Sequence, residues 1–256
     1  MERLHVVILT CGTLGYETAR AIAGLAEVSK VNVVQSPPLR TKSLWRRGRL
    51  AYRRYGLIGF LSRLANKVLP SSPSEADPEA APENLVMVSR FDHQDALDVL
   101  RDLAPDLMMV DGTYVLAESV FSIPRLGTIN LHCGYLPDYK GSPPAFWEIY
   151  EGETTVGVSV HFVTADLDGG PIIDRRRFPL DPAPSGDPLD YIARVWRETL
   201  RPAGIEMLGQ AVRAAAKGGL TGVTQASAEG RLFRFPHHKQ VREFRRRVRA
   251  RRLENR

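Results

Sequence analysis

Asn130 and His132 flank Leu131 at the end of an apolar segment, and two carboxylates, Asp166 and Asp168, follow in the glycine-rich stretch 166–171. An amide, an imidazole and a carboxylate together suit acyl transfer. When an amine attacks a carbonyl carbon, negative charge develops on the carbonyl oxygen, and Asn and protonated His can both donate hydrogen bonds to it. The amine must also lose a proton, which a nearby carboxylate accepts directly or through water. The same carboxylate favours the imidazolium form of the histidine. The spacing fits a strand end, because alternate side chains of a strand point to one side and place residues 130 and 132 together. The stretch 136–141, Leu-Pro-Asp-Tyr-Lys-Gly, reads as a turn that wraps around such a site.

These residues need a scaffold that brings strand ends together. Residues 4–10 form a nearly continuous apolar run of β-formers, the pattern of a strand buried on both faces. A tight turn at 11–15, helical spacing over 16–25 and a second strand at 31–34 complete a strand–helix–strand opening, which predicts a parallel α/β sheet. Further strands are expected at 85–88, 106–110, 127–131, 157–163 and 172–178. Helices are expected at 92–103, with Asp92 as N-cap, at 143–150 and over 188–216. A short strand at 232–235 and a basic helix near 238–253 close the chain. Open sheets of this kind hold their ligands outside the carboxyl ends of the strands, where Asn130 and His132 fall.

Charge is unevenly spread. The chain carries 35 Lys and Arg against 29 Asp and Glu. Nine of the basic residues lie in 36–74, which has no acid, and eleven lie in 231–256, leaving an acidic body. Residues 44–69 read as a basic amphipathic helix and 70–82 as an exposed Pro-rich loop. The basic helix suits a solvated cover over a sheet edge, an anionic membrane surface or the phosphates of a nucleotide, and the Arg-rich tail suits RNA. A homodimer stays open as well. No run of apolar residues is long enough to span a membrane, no His/Cys cluster has metal-ligand spacing, and the two cysteines suggest no disulfide framework, so a cytoplasmic protein without a metal is expected.

The segment Asn130-Leu131-His132-Cys133-Gly134-Tyr135-Leu136-Pro137-Asp138-Tyr139-Lys140-Gly141 resembles the N-x-H-x-x-x-L-P-x-Y-x-G signature of 10-formyltetrahydrofolate-dependent formyltransferases. The stretch from Gly157 through His161 to Asp168-Gly169-Gly170-Pro171-Ile172 is similar to a second signature of that family. The resemblance implies an α/β fold with an open, mostly parallel Rossmann-like sheet flanked by helices. It implies that 10-formyltetrahydrofolate is the co-substrate, that Asn130 and His132 polarise the formyl group, and that Asp168 governs proton transfer. It also implies a pterin pocket from Tyr114, Val115 and Leu116, facing Val163, Asp166 and Gly169. Gly12 and Thr13 would lie beside the acceptor, with Tyr139, Lys140 and Trp147 as further acceptor contacts.

Two departures stand out. Cys133-Gly134 occupies the place where the family commonly has Pro-Ser, and the glycine-rich turn at 11–15 is only partly kept. The sequence around Pro144, Phe146 and Trp147 looks more like the nucleotide-aminosugar enzymes than the glycinamide ribonucleotide or methionyl-tRNA enzymes, so a small amine linked to a nucleotide is the expected acceptor. The body of the enzyme is expected over 1–218, with 36–84 as an insertion and 219–256 as a basic extension. A formyltetrahydrofolate hydrolase, a glycinamide ribonucleotide enzyme and a non-catalytic RNA- or membrane-binding module are the rivals. His161, mid-strand, is expected to be structural or pocket-lining, and Cys133 a wall residue, since no base is indicated for it.

Overall fold

A computed structural model describes residues 3–38, 81–226 and 230–254. The basic segment 44–69 and nearly all of the Pro-rich loop lie outside the described residues. Among the described residues the main sheet has seven strands in the order β3-β2-β1-β4-β5-β7-β8. Strands β1 (Leu4–Thr10), β2 (Val28–Gln35), β3 (Leu85–Met87), β4 (Leu107–Val110) and β5 (Thr128–His132) run parallel. Strands β7 (Thr155–Phe162) and β8 (Ile172–Pro179) are antiparallel additions at one edge.

Strand β1 shows why the sequence folds this way. Val6 and Ile8 face a core shared with α1 (Leu14–Ala23) and α6 (Arg201–Ala216), while Val7 and Leu9 face a second core under α2 (Gln94–Leu103). A strand buried on both faces must be apolar throughout, and these four side chains are fully buried. At about 25 cal/mol per Å² of apolar surface removed from water, the two cores are the main stabilising force. Helix α6 reaches β5 closely because Gly204 has no side chain. A Cβ there would collide with Leu131, the residue between Asn130 and His132.

Several details differ from the sequence reading. Asp92 is not the cap of α2. Its carboxylate is taken by Arg90 at 2.6 Å, and His93 stands at the N-cap. Helix α4 (Phe146–Glu151) starts after Pro143 and Pro144 because Ala145 lies in the left-handed region at φ 58°. The long C-terminal helical region is not uniform: α5 (Pro188–Val195) passes through a π turn, Trp196–Leu200, before α6. A short helix α3 (Glu118–Phe121) and a strand β6 (Tyr139–Gly141) were not anticipated.

Strand β6 pairs in parallel with β9 (Arg231–Phe233), which leads into α7 (His238–Glu254). An aromatic stack fastens this C-terminal segment to the body. Tyr139 stacks on Phe233 at 5.3 Å, Phe233 on Trp147 at 5.0 Å, and Phe244 of α7 on Phe146 at 4.6 Å. The indole N–H of Trp147 donates to the Arg234 carbonyl at 3.0 Å. Among the described residues no helix is long and apolar enough to cross a membrane.

Candidate active site

The carboxyl end of β5 carries Asn130 and His132. Because β5 pairs antiparallel with β7, Asn130 stands directly opposite His161. Asp168 comes from the loop joining β7 to β8, so β5, β7 and the loop after β7 supply the site. The carboxylate of Asp168 lies between the two imidazoles, with Oδ2 at 3.6 Å from Nδ1 of His132 and Oδ1 at 3.7 Å from Nε2 of His161.

Each imidazole is oriented by a backbone carbonyl. Nε2 of His132 lies 2.7 Å from the Tyr139 carbonyl, and Nδ1 of His161 lies 2.8 Å from the Phe162 carbonyl. A carbonyl only accepts, so each of these nitrogens carries hydrogen. In neutral His161 the other nitrogen, Nε2, therefore accepts from the Asn130 amide at 3.1 Å, which fixes the amide's orientation. Burial pushes the His161 pKa down to about 4, and the neighbouring His132 adds to this while Asp168 opposes it. His161 is thus neutral near pH 7. His132, whose Nδ1 faces the carboxylate, is the imidazole placed to carry a proton.

Asp168 is itself held by the backbone. It sits at φ 51°, a conformation that Asp tolerates better than most residues, and the Gly141 N–H donates to its Oδ2 at 2.8 Å. The side chain of Gln225 donates to the carbonyls of Asp168 and Gly170, at 3.1 and 2.6 Å. Gln225 carried no signal in the sequence, since it lies far from both motifs and acts only through the backbone of the loop.

A cavity of about 820 Å³ opens over these groups. Asn130, His132, Asp168 and His161 line it, as do Tyr114, Val115, Leu116, Val163 and Asp166. The Tyr114 hydroxyl accepts from the Phe91 N–H at 2.8 Å, which holds the 113–116 loop against the sheet. Gly169 lies outside the lining, packed closely against Asp166. Gly12, Thr13, Tyr139, Lys140 and Trp147 do not line the cavity either. From the N-terminal turn it is Leu14 that reaches it. Tyr139 contributes its carbonyl to His132, and Trp147 is consumed by the aromatic stack.

In the cavity lining Arg201 pairs with Asp111 at 2.7 Å, with both side chains 5% exposed. Arg201 also reaches Glu17, Thr18 and the Leu14 carbonyl. Cys133 lines the wall, and burial pushes its thiol up to about 12, which leaves it un-ionised. Among the described residues no group of His, Cys, Asp and Glu could hold a metal ion.

An open α/β sheet with an amide, two imidazoles and a carboxylate at its strand ends defines a site suited to acyl transfer. Residues 66–195, just over half the chain, match the family model described as formyl transferase, and the chain belongs to that family. It is 33% identical over 133 residues to a methionyl-tRNA formyltransferase of Parabacteroides distasonis, a match covering 49% of this chain and 41% of that relative. The chain therefore spans less than half the length of this curated relative. Among solved structures, a sugar N-formyltransferase from Shewanella sp superposes with a TM-score of 0.60 at 12% identity, covering 96% of this chain and 87% of the other. An N-formyltransferase from Helicobacter canadensis, solved with folinic acid and dTDP-3-aminofucose, superposes with a TM-score of 0.58 at 16% identity, covering 95% and 81%. At these identities the structural likeness is one of fold.

Proposed function

We propose that the chain transfers the formyl group of 10-formyltetrahydrofolate to a primary amine, on an aminosugar nucleotide. The observation that carries this reading is the Asp168 carboxylate seated against Nδ1 of His132, beside Asn130, at the floor of one cavity. Family membership and the folate named with the Helicobacter neighbour support the donor. The dTDP-3-aminofucose named with the Helicobacter neighbour and the sugar N-formyltransferase from Shewanella support the acceptor, while the curated relatives support an aminoacyl-tRNA as its rival.

In this reaction the amine nitrogen attacks the formyl carbon and the bond from that carbon to N10 breaks. The proton lost by the amine ends on N10, so the products are a formamide and tetrahydrofolate. Asn130, with one amide hydrogen on His161 and the other free, and protonated His132 donate to the developing oxyanion. Asp168 balances the imidazolium and relays the proton. The pterin is held by the 114–116 loop and by Val163 and Asp166, and its apolar wall excludes water from the reacting carbon.

Turnover of 10-formyltetrahydrofolate against a panel of amines tests this, with aminosugar nucleotides, glycinamide ribonucleotide, methionyl-tRNA and a no-acceptor control. Product that depends on the aminosugar and disappears in Asp168→Asn is the expected result. Consumption without acceptor would make the protein a hydrolase, and no turnover at all would overturn the enzymatic reading.

A further inference from the structure

The carboxylate of Asp168 hangs on a single methylene, so its place between the two imidazoles follows from the backbone of its loop. That backbone lies in the left-handed region at φ 51°, a conformation that persists only where its surroundings over-determine it. The carbonyls of Asp168 and Gly170 belong to the same turn. Neither accepts from a backbone N–H of the described residues, and a buried carbonyl needs a donor.

Both donors come from one amide. Nε2 of Gln225 lies 3.1 Å from the Asp168 carbonyl oxygen and 2.6 Å from that of Gly170. A primary amide carries two N–H groups on one nitrogen, so a single side chain ties residues 168 and 170 together. Gln225 is 7% exposed, which leaves water little room to compete.

The segment that delivers Gln225 is itself fixed on the loop. Ile172 and Val223 exchange two backbone hydrogen bonds of 2.8 Å in an antiparallel bridge. In that register Gln225 falls opposite Gly170. Gly222 permits the approach, since a Cβ there would stand 2.9 Å from the Cβ of Pro171. Further along the chain β9 pairs with β6, and β6 holds two more anchors of the catalytic pair. These are the Tyr139 carbonyl that accepts from His132 and the Gly141 N–H that donates to Asp168. Residues 222–226 and 230–233 thus brace Asp168 through its backbone and His132 through β6.

Resting on the formyl-transfer reading, we infer that Gln225 is a positioning residue for the reaction, whose amide holds the 168–170 backbone so that the Asp168 carboxylate meets Nδ1 of His132. Gln225 does not line the cavity, so it touches neither substrate and moves no proton. Its two N–H groups are the operative part. Without them the two carbonyls lose their donor, the loop relaxes and the carboxylate leaves the imidazole. His132 then loses the anion that favours its protonated form, and the developing oxyanion loses a charged donor.

A clamp that served stability alone would leave the histidine as it is, and Gln225→Met and Gln225→Glu separate the two roles. Methionine keeps the length and removes both donors, whereas glutamate keeps one donor only while it is protonated. Long-range proton–nitrogen NMR of the imidazoles reads the tautomer and protonation of His132 without any substrate, with Asp168→Asn as the reference for a ring without its anion. Urea midpoints report stability separately. In Gln225→Met the Nδ1 signal of His132 is expected to move at least half of the way to its position in Asp168→Asn. For formyl transfer kcat should fall about tenfold or more, with both KM values within about threefold of wild type. Gln225→Glu should lie between wild type and Gln225→Met, and lose activity relative to wild type as pH rises and the carboxyl ionises. If Gln225→Met does not fold, the same His132 signal in ionised Gln225→Glu decides. An unmoved signal, or an unchanged kcat, overturns the positioning role even where the urea midpoint falls. A signal that moves in a protein that transfers no formyl group keeps the positioning and overturns the proposed reaction.

Discussion

The Nε2–H of His132 donates to the carbonyl of Tyr139 at 2.7 Å, so the ring turns its other nitrogen, Nδ1, towards Asp168. The turn that follows β5 thereby sets the tautomer of a histidine at its end. When the ring is protonated, the second hydrogen can only sit on Nδ1, between the carboxylate and the cavity.

This arrangement makes Asp168→Asn an informative substitution. Asparagine tolerates the left-handed φ of 51° about as well as aspartate and keeps an oxygen for the Gly141 N–H, so the loop should hold. What is lost is the negative charge beside Nδ1. We expect kcat to fall about 10²–10⁴-fold, the usual range for a lost acid–base partner, with tetrahydrofolate affinity within about threefold of wild type. Steady-state formyl transfer and calorimetric binding check both. Asp168→Ala should lose stability in addition, because alanine is strained at that φ.

Gly134 protects the same hydrogen bond. A Cβ at this position would come within 2.5 Å of both His132 Nε2 and the Tyr139 carbonyl oxygen. The carbonyl is backbone and the ring is tied to it, so neither yields cheaply. Gly134→Ala should displace His132 by a large fraction of an ångström and lower kcat about 100-fold, the scale expected for misplaced catalytic groups. The crystal structure of the variant together with its kcat would check this; an unmoved ring with full activity would refute it.

The buried ion pair of Arg201 and Asp111 in the cavity lining predicts a stability effect. Removing the carboxylate in Asp111→Ala leaves Arg201 buried with Glu17, Thr18 and the Leu14 carbonyl as its remaining partners. Breaking one side of a buried pair costs about 3–5 kcal/mol, and the surviving partners place this case near the lower end. Urea denaturation of wild type and Asp111→Ala measures it. A midpoint that does not move would show that Glu17 alone carries the pairing.

Much of this was legible in the sequence because it is written in periodicity. The doubly apolar run of β1 announced a central strand, and the alternation around Leu131 announced that Asn130 and His132 face one way. His161 was placed on a strand, but its role depended on β5 and β7 being neighbours, which no local pattern encodes. Trp147 was expected at the acceptor and instead stacks on Phe233 and meets Phe146 edge-on, because β9 returns from far along the chain to pair with β6. The π turn Trp196–Leu200 was missed for a related reason, since such a turn has no composition of its own. Gln225 and Arg201 act on backbone atoms and on another buried charge, contacts that become visible only in three dimensions.

Two buried titratable groups should shape the pH dependence of stability in opposite senses. His161 ordinarily titrates near 6.5, and burial lowers it to about 4. Between these values the unfolded chain binds a proton that the folded protein refuses, so this term makes stability rise with pH from 4 to 6.5. Glu148, 3% exposed with one carboxyl oxygen unpartnered, is raised by burial from 4.5 to about 7, although backbone N–H groups of Gly157 and Tyr135 oppose the shift. Here the folded protein binds the extra proton, and stability falls as pH rises from 4.5 to 7. Each term is on the order of 3 kcal/mol across its window, at about 1.4 kcal/mol per pKa unit, so the two largely cancel where they overlap. Removing one should expose the other. His161→Gln should become less stable as pH rises from 4.5 to 7, whereas Glu148→Gln should become more stable as pH rises from 4 to 6.5. Chemical denaturation at half-unit pH steps would show slopes of opposite sign for the two variants, and parallel slopes would mean that neither group is perturbed by burial in this way.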